Sequence, residues 1–191
     1  GPGQQWLDEL TIHLKNKCGI ARLRSLGLVE QGGGANLLHE AAIDQPRRGV
    51  VNPVDAFMLD EIVALAEREG IYLQLCLLVR DPYTGDLKNP DAPAYQAATE
   101  TARRMLGYIV SRWGWSGHVA VWEYFNEADP GLPPGPFYQA LADHLDEADP
   151  YRHPRTTSTW SPSPKDWRLS ALDIAQTHHY IRPANGPAEH D

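Results

Sequence analysis

The chain has 191 residues, 42% of them hydrophobic, which is enough for one sizeable core and too apolar for a disordered polymer. Its formal net charge of −8 argues against a nucleic-acid or anionic-membrane partner, since either needs a basic field. No apolar run approaches the ~20 residues that cross a bilayer. Gly-Pro-Gly at 1–3 is set aside as a scar or loop. Leu7, Leu10 and Leu14 then predict a helix over 5–17. In "CGIARLRSLGLV", 18–29, the first half is taken as a strand, although its apolar spacing leaves the type open. Residues 30–53 are punctuated by Gly and Pro and form a long loop.

Asn52 is a helix cap and Pro53 suits a first turn. Phe57 or Met58, Ile62 and Leu65 give that helix its apolar face, and Gly70 ends it. "IYLQLCLLV", 71–79, reads as a strand, and a Pro-containing loop, 80–93, follows. Tyr95, Ala98, Ala102, Met105 and Ile109 share one helical stripe. A strand is expected at 119–125, a Pro/Gly loop at 129–136 and a helix carrying Phe137, Leu141 and Leu145. The β-branched run 155–160 is a strand, 161–172 a loop or short helix, and 173–181 the last strand.

This is a βα alternation with five strands, which implies a parallel sheet with helices outside. "QGGGAN", 31–36, lacks the G-x-G-x-x-G spacing of a dinucleotide turn and opens no helix, so it reads as a plain loop. Polar residues cluster just after the strands, as at the catalytic face of a (β/α)8 barrel. Cys18 and Cys76 are too few for a disulfide framework and read as buried thiols. Six tryptophans and eight tyrosines are either core mass or flat platforms, and on a sugar binder several would line the cleft.

Three segments carry a family resemblance. "WEYFNE", 122–127, resembles the strand-four W-x-x-x-N-E signature of the (β/α)8 retaining glycoside hydrolases in the clan of family 5 mannanases and cellulases. "DIAQTHHY", 173–180, is similar to that clan's strand six, and "CGIAR", 18–22, to its strand two. The resemblance covers strands two to six, so residues 1–191 are expected to form part of a glycoside hydrolase catalytic domain of the α/β class, an incomplete TIM barrel. It implies Glu127 as general acid/base and Asn126 as the partner of a sugar 2-hydroxyl. It also implies that His178 and Tyr180 line the cleft and that Arg22, or Arg24 after a small register change, holds the nucleophile ionised. Gly19 stands where the clan often has Asn, a departure in strand two.

Glycoside cleavage needs a neutral carboxyl that protonates a poor leaving group while an oxocarbenium-like centre develops. Burial beside Trp122, Tyr124 and Phe125 is expected to raise the pKa of Glu127. In a retaining enzyme a second carboxylate attacks from ~5–5.5 Å away. Glu123 lies four residues back on the strand, ~13 Å distant, and is read as a buried strut paired with an Arg of a neighbouring strand. Glu189 sits in a Pro/Gly-rich tail with no strand around it and is not taken as the nucleophile. No strand one, seven or eight is found, and five strands cannot close an eight-stranded barrel. The expectation is therefore a piece of a longer protein or a truncated product, with the nucleophilic Glu outside this chain and no retaining turnover by the 191 residues alone.

Trp160, just after a strand, is expected to stack on sugar, and Arg80 and Asp81 are possible subsite contacts. Trp113 and Trp115 cap a helix or fill core, Trp167 could do either, and His118 at the barrel bottom serves stability. For Asn126-Glu127 the bland alternative is a strand-end turn. For His178-His179 a metal pair is disfavoured, because adjacent strand residues face opposite ways and no H-E-x-x-H accompanies them. No cofactor or metal is expected. The partner is a carbohydrate, and location is open with a lean to the extracellular. A carbohydrate-binding barrel without catalysis is the alternative function, and a metal-dependent (β/α)8 hydrolase is a third.

Overall fold

The computed structural model describes residues 20–23, 49, 51, 53–78 and 80–179. The expectations for the helix over 5–17, Cys18, Arg24, the loop 31–36, the Asn52 cap, Tyr180 and Glu189 lie outside these residues.

Five strands alternate with helices. They are β1 (Ile20–Leu23), β2 (Tyr72–Leu78), β3 (Val119–Phe125), β4 (Arg155–Thr159) and β5 (Ile174–Thr177). Helix α1 (Pro53–Glu69) leads into β2, α2 (Asp81–Thr84) and α3 (Pro93–Trp113) into β3, and α4 (Gly135–Ala148) into β4. A 3-10 turn at Asp166–Arg168 lies between β4 and β5. Pro sits in the first turn of α2, α3 and α4, where its missing N–H costs nothing. The last strand is shorter than 173–181. It ends at Thr177, so His178 and His179 project from beyond the strand rather than from opposite faces of it.

The strands pair in chain order, β1-β2-β3-β4-β5, and every pair is parallel. When parallel neighbours follow in sequence order, crossovers of one hand place the connecting helices on one face. A sheet covered on one face must bury the other by curling. The curl is visible in a side-chain bond: Gln74 Nε2 of β2 donates to Gln176 Oε1 of β5 at 2.9 Å, across two intervening strands. In a flat sheet those strands would lie ~14 Å apart, three spacings of about 4.8 Å. Gln74 also donates to Glu123 Oε2 at 2.9 Å, and Thr156 Oγ1 lies 3.4 Å from Gln176 Oε1. This polar layer on the concave side is the inside of a barrel.

Glu123 is fully buried, as expected of a strut inside the sheet, and its Oε2 accepts from Gln74 Nε2. The outer side carries the apolar mass. Leu73, Leu75 and Leu77 of β2 pack with α1 and α3 in a single core. The α1 face is Ala56, Leu59, Ile62, Val63 and Ala66, all buried, whereas Phe57 is 58% exposed. The expected α3 stripe, from Tyr95 to Ile109, is buried throughout. Trp113 is buried and donates its indole N–H to Asp60 Oδ1 at 2.8 Å, while Trp115 stays on the surface.

The lower end of the sheet is pinned by polar contacts. The His118 ring stacks on Tyr72 with centroids 5.2 Å apart. Asp149, at the end of α4, is almost fully buried and accepts from Trp122 Nε1 at 2.9 Å and from the His153 backbone N–H at 3.0 Å, with His153 Nδ1 at 2.8 Å. One carboxylate thus ties β3 and α4 to the approach of β4.

Candidate active site at the exit of β3

The apolar run of β3 ends at Phe125, and the next residues leave the sheet at its C-terminal edge. Glu127 takes the left-handed backbone region, with φ +55°. A non-glycine residue there costs roughly 1–2 kcal/mol, so neighbouring groups must hold it. The Glu127 N–H donates to Ser158 Oγ at 2.9 Å, and its carbonyl accepts from Arg80 Nη1 at 2.7 Å. Ser158 belongs to β4 and Arg80 follows β2, so the strands on either side of β3 fix this peptide from both sides.

The strained backbone aims the side chain at β5. Glu127 Oε1 lies 2.7 Å from His178 Nδ1, and both side chains are about one-fifth exposed. His178 is placed by its own N–H, which donates to Thr159 O at 2.9 Å. A carboxylate and an imidazole at this distance share one proton. Either the ring N–H donates to the carboxylate, or a protonated carboxyl donates to the ring. The pair therefore holds a transferable proton at the mouth of a curled parallel sheet.

Trp122, Tyr124 and Phe125, expected beside Glu127, pack against partners of their own. Trp122 and Tyr124 alternate to the helix side, where Trp122 reaches Asp149 and Tyr124 packs on Tyr138 at 5.6 Å. Phe125 packs against Tyr83 and Phe137. Glu127 itself meets polar groups, His178 through its carboxyl and Ser158 and Arg80 through its backbone.

Asn126 is half-buried beside Glu127. Trp160, just past β4, is 48% exposed, and its indole N–H donates to Asp129 Oδ1 at 2.8 Å. Arg22 sits in β1 opposite Gln74 in register. Asp81 is exposed and pairs with Arg80 Nε at 2.7 Å. Ser158 and the backbone role of Arg80 were missed by sequence reasoning. The one usable signal was that Arg80 follows a strand. Among the described residues, no group of three or more His, Cys, Asp or Glu is placed to hold a metal ion.

The loop after Glu127 is a tight turn. Leu132 N–H donates to Asp129 O at 2.9 Å, Pro130 occupies the second position and Gly131 the third with φ +79°. That is the signature of a type II turn. The Gly131 N–H donates at 2.7 Å to Asp166, a buried carboxylate that also accepts from Ser163 Oγ. No atom lies within 4 Å of a Cβ built on Gly131, so Gly131→Ala tests the backbone alone. It is expected to lower unfolding stability by about 1 kcal/mol, measured by urea denaturation. An unchanged midpoint would contradict the turn assignment.

The overall arrangement matches known structures. A family 5 glycoside hydrolase from Bacteroides vulgatus superposes with a TM-score of 0.61 at 14% identity, over 92% of this chain and 38% of that one. A family 5 enzyme from Prevotella bryantii superposes with a TM-score of 0.58 at 15% identity, over 90% of this chain and 50% of its own. The chain has the fold of part of a family 5 glycoside hydrolase barrel. At these identities the likeness to the glycoside hydrolases is one of fold. The chain spans half or less of the length of these two hydrolases. A third structure holds the Prevotella enzyme in complex with a xyloglucan tetradecasaccharide, with a TM-score of 0.56 at 15% identity. No family model matches the sequence, and no curated protein matches it either.

Proposed function

We propose that this chain supplies the acid/base side of a retaining glycoside hydrolase site that cleaves β-linked bonds of a poly- or oligosaccharide. The observation that carries the reading is the Glu127 carboxyl, held in a strained backbone at the sheet's C-terminal edge, 2.7 Å from His178. Glu127 protonates the glycosidic oxygen as the bond breaks. The His178 ring orients the carboxyl and shares its proton. In the second half-reaction the Glu127 carboxylate takes a proton from the incoming water. Asn126 binds the 2-hydroxyl of the sugar at the reacting carbon, and Trp160 offers a ring face. Tyr180 and Arg22 serve the nucleophile's side. The nucleophilic carboxylate comes from outside the described residues, ~5–5.5 Å from Glu127 when in place.

The supporting facts are the barrel curl, the glycoside hydrolase fold of the neighbours and the xyloglucan held by one of them. The test is a screen of the protein that carries the complete site against β-glucan, β-mannan and xyloglucan for binding and for release of reducing ends, with Glu127→Ala beside it. Release by the parent and none by Glu127→Ala supports the proposal. Binding without release in both favours the non-catalytic carbohydrate-binding alternative. Neither binding nor release by the parent contradicts both readings.

A further inference from the structure

Trp160 is an exposed indole whose polar atom is already engaged. Its N–H donates to Asp129 Oδ1, and its backbone N–H reaches Ala128 O at 3.4 Å. On an exposed indole, water would satisfy the N–H just as well, so a carboxylate there fixes the ring plane rather than rescuing a donor. Asp129 is itself immobilised. It opens the type II turn described above, and the Gly131 N–H of that turn is bound by Asp166, six residues beyond Trp160. The Ala128 N–H donates to Ser158 O at 2.8 Å. The loops after β3 and β4 are thus stitched together, and the stitch runs through Glu127's immediate neighbour.

We infer that Asp129 is a positioning residue that presets the Trp160 indole as a stacking platform for a sugar ring bound beside Glu127. An indole with its N–H occupied has only its faces to offer. A pyranose presents a flat patch of C–H groups that fits such a face, whereas a charged or extended peptide ligand would compete for the N–H. A ring held in place before binding loses less entropy when the sugar arrives. This inference rests on the carbohydrate reading of the site and adds a residue that orients rather than touches the sugar.

The test is isothermal titration calorimetry of the purified protein with two probes, cellohexaose and mannohexaose, on the parent, Trp160→Ala, Asp129→Ala and Asp129→Asn. Thermal midpoints are measured beside each titration. Trp160→Ala is expected to weaken binding about tenfold, the scale of one stacking contact. Asp129→Ala is expected to weaken it about threefold to tenfold at an unchanged midpoint. Asp129→Asn, which keeps an oxygen acceptor, should bind like the parent. Parent-like binding by Trp160→Ala overturns the platform and leaves the carbohydrate reading standing. Weak binding by Trp160→Ala with parent-like binding by Asp129→Ala overturns the positioning role. A parent that binds neither probe overturns the platform together with the carbohydrate reading.

Discussion

In the protein that carries the complete site, Glu127→Gln should cut hydrolysis of a β-linked polysaccharide by about 10²–10⁴-fold, the usual contribution of a positioned general acid/base. Glutamine keeps the length and shape of the side chain and the same demand on the left-handed backbone, where φ is +55°. It still meets His178, because an amide can accept from or donate to an imidazole nitrogen. What it cannot do is give up a proton to the leaving oxygen or take one from water. The fold should therefore be unchanged, with a thermal midpoint within a degree or two of the parent. The loss should fall on kcat and on kcat/KM together, since the missing interaction exists in the transition state. A large rise in KM at constant kcat would instead make Glu127 a binding residue.

Asp149→Ala should cost about 3 kcal/mol of unfolding free energy, the largest stability effect expected of a single change here. The carboxylate accepts from Trp122 Nε1 and from the backbone N–H groups of Tyr151 and His153, with the His153 ring nitrogen 2.8 Å away. Trp122 is fully buried, so its indole N–H would be left with no partner and no water. Burial alone would push the Asp149 carboxyl up, but the Trp122 and His153 hydrogen bonds outweigh it and hold the carboxyl below its usual range. A folded pKa below the unfolded one stabilises fully above the unfolded value, ~3.9, and the gain fades as pH falls through the folded value. The stability gap between parent and Asp149→Ala should therefore be largest near neutrality and narrow below about pH 4. Urea midpoints at several pH values measure it, and a gap constant down to pH 2 would contradict the hydrogen-bond account.

The elements with strong periodicity were legible in the sequence. The α3 stripe and the apolar run of β3 each follow one rule, the helical period or the strand run, and each folds as that rule implies. Element order also brought Glu127 and His178 to the same edge, because consecutive parallel strands share a direction. The surroundings of Glu127 were not legible. Ser158 reads as one more residue of a β-branched strand and Arg80 as a surface cation, yet they hold the peptide from positions 31 and 47 residues away. A glutamate carries no sign that its backbone will be left-handed. Strand alternation could have warned that Trp122 and Tyr124 turn to the helices, since both lie an odd number of residues from Glu127. Between Phe57 and Met58 the spacing left the choice open, and the register of α1 exposes Phe57, half-buries Met58 and fully buries the smaller Ala56.

The central claim is proton donation by Glu127 to a departing sugar oxygen, and a leaving-group series tests it most directly. Parent and Glu127→Gln are compared on aryl β-glycosides whose phenols range from weakly to strongly acidic, in the protein that carries the complete site. A strongly acidic phenol departs without a proton. The account predicts that the glycosylation rate of Glu127→Gln falls steeply as the phenol becomes less acidic and approaches the parent's at the acidic end, while the parent's rate varies little. Parallel plots for the two proteins, offset by one constant factor across the series, would contradict it.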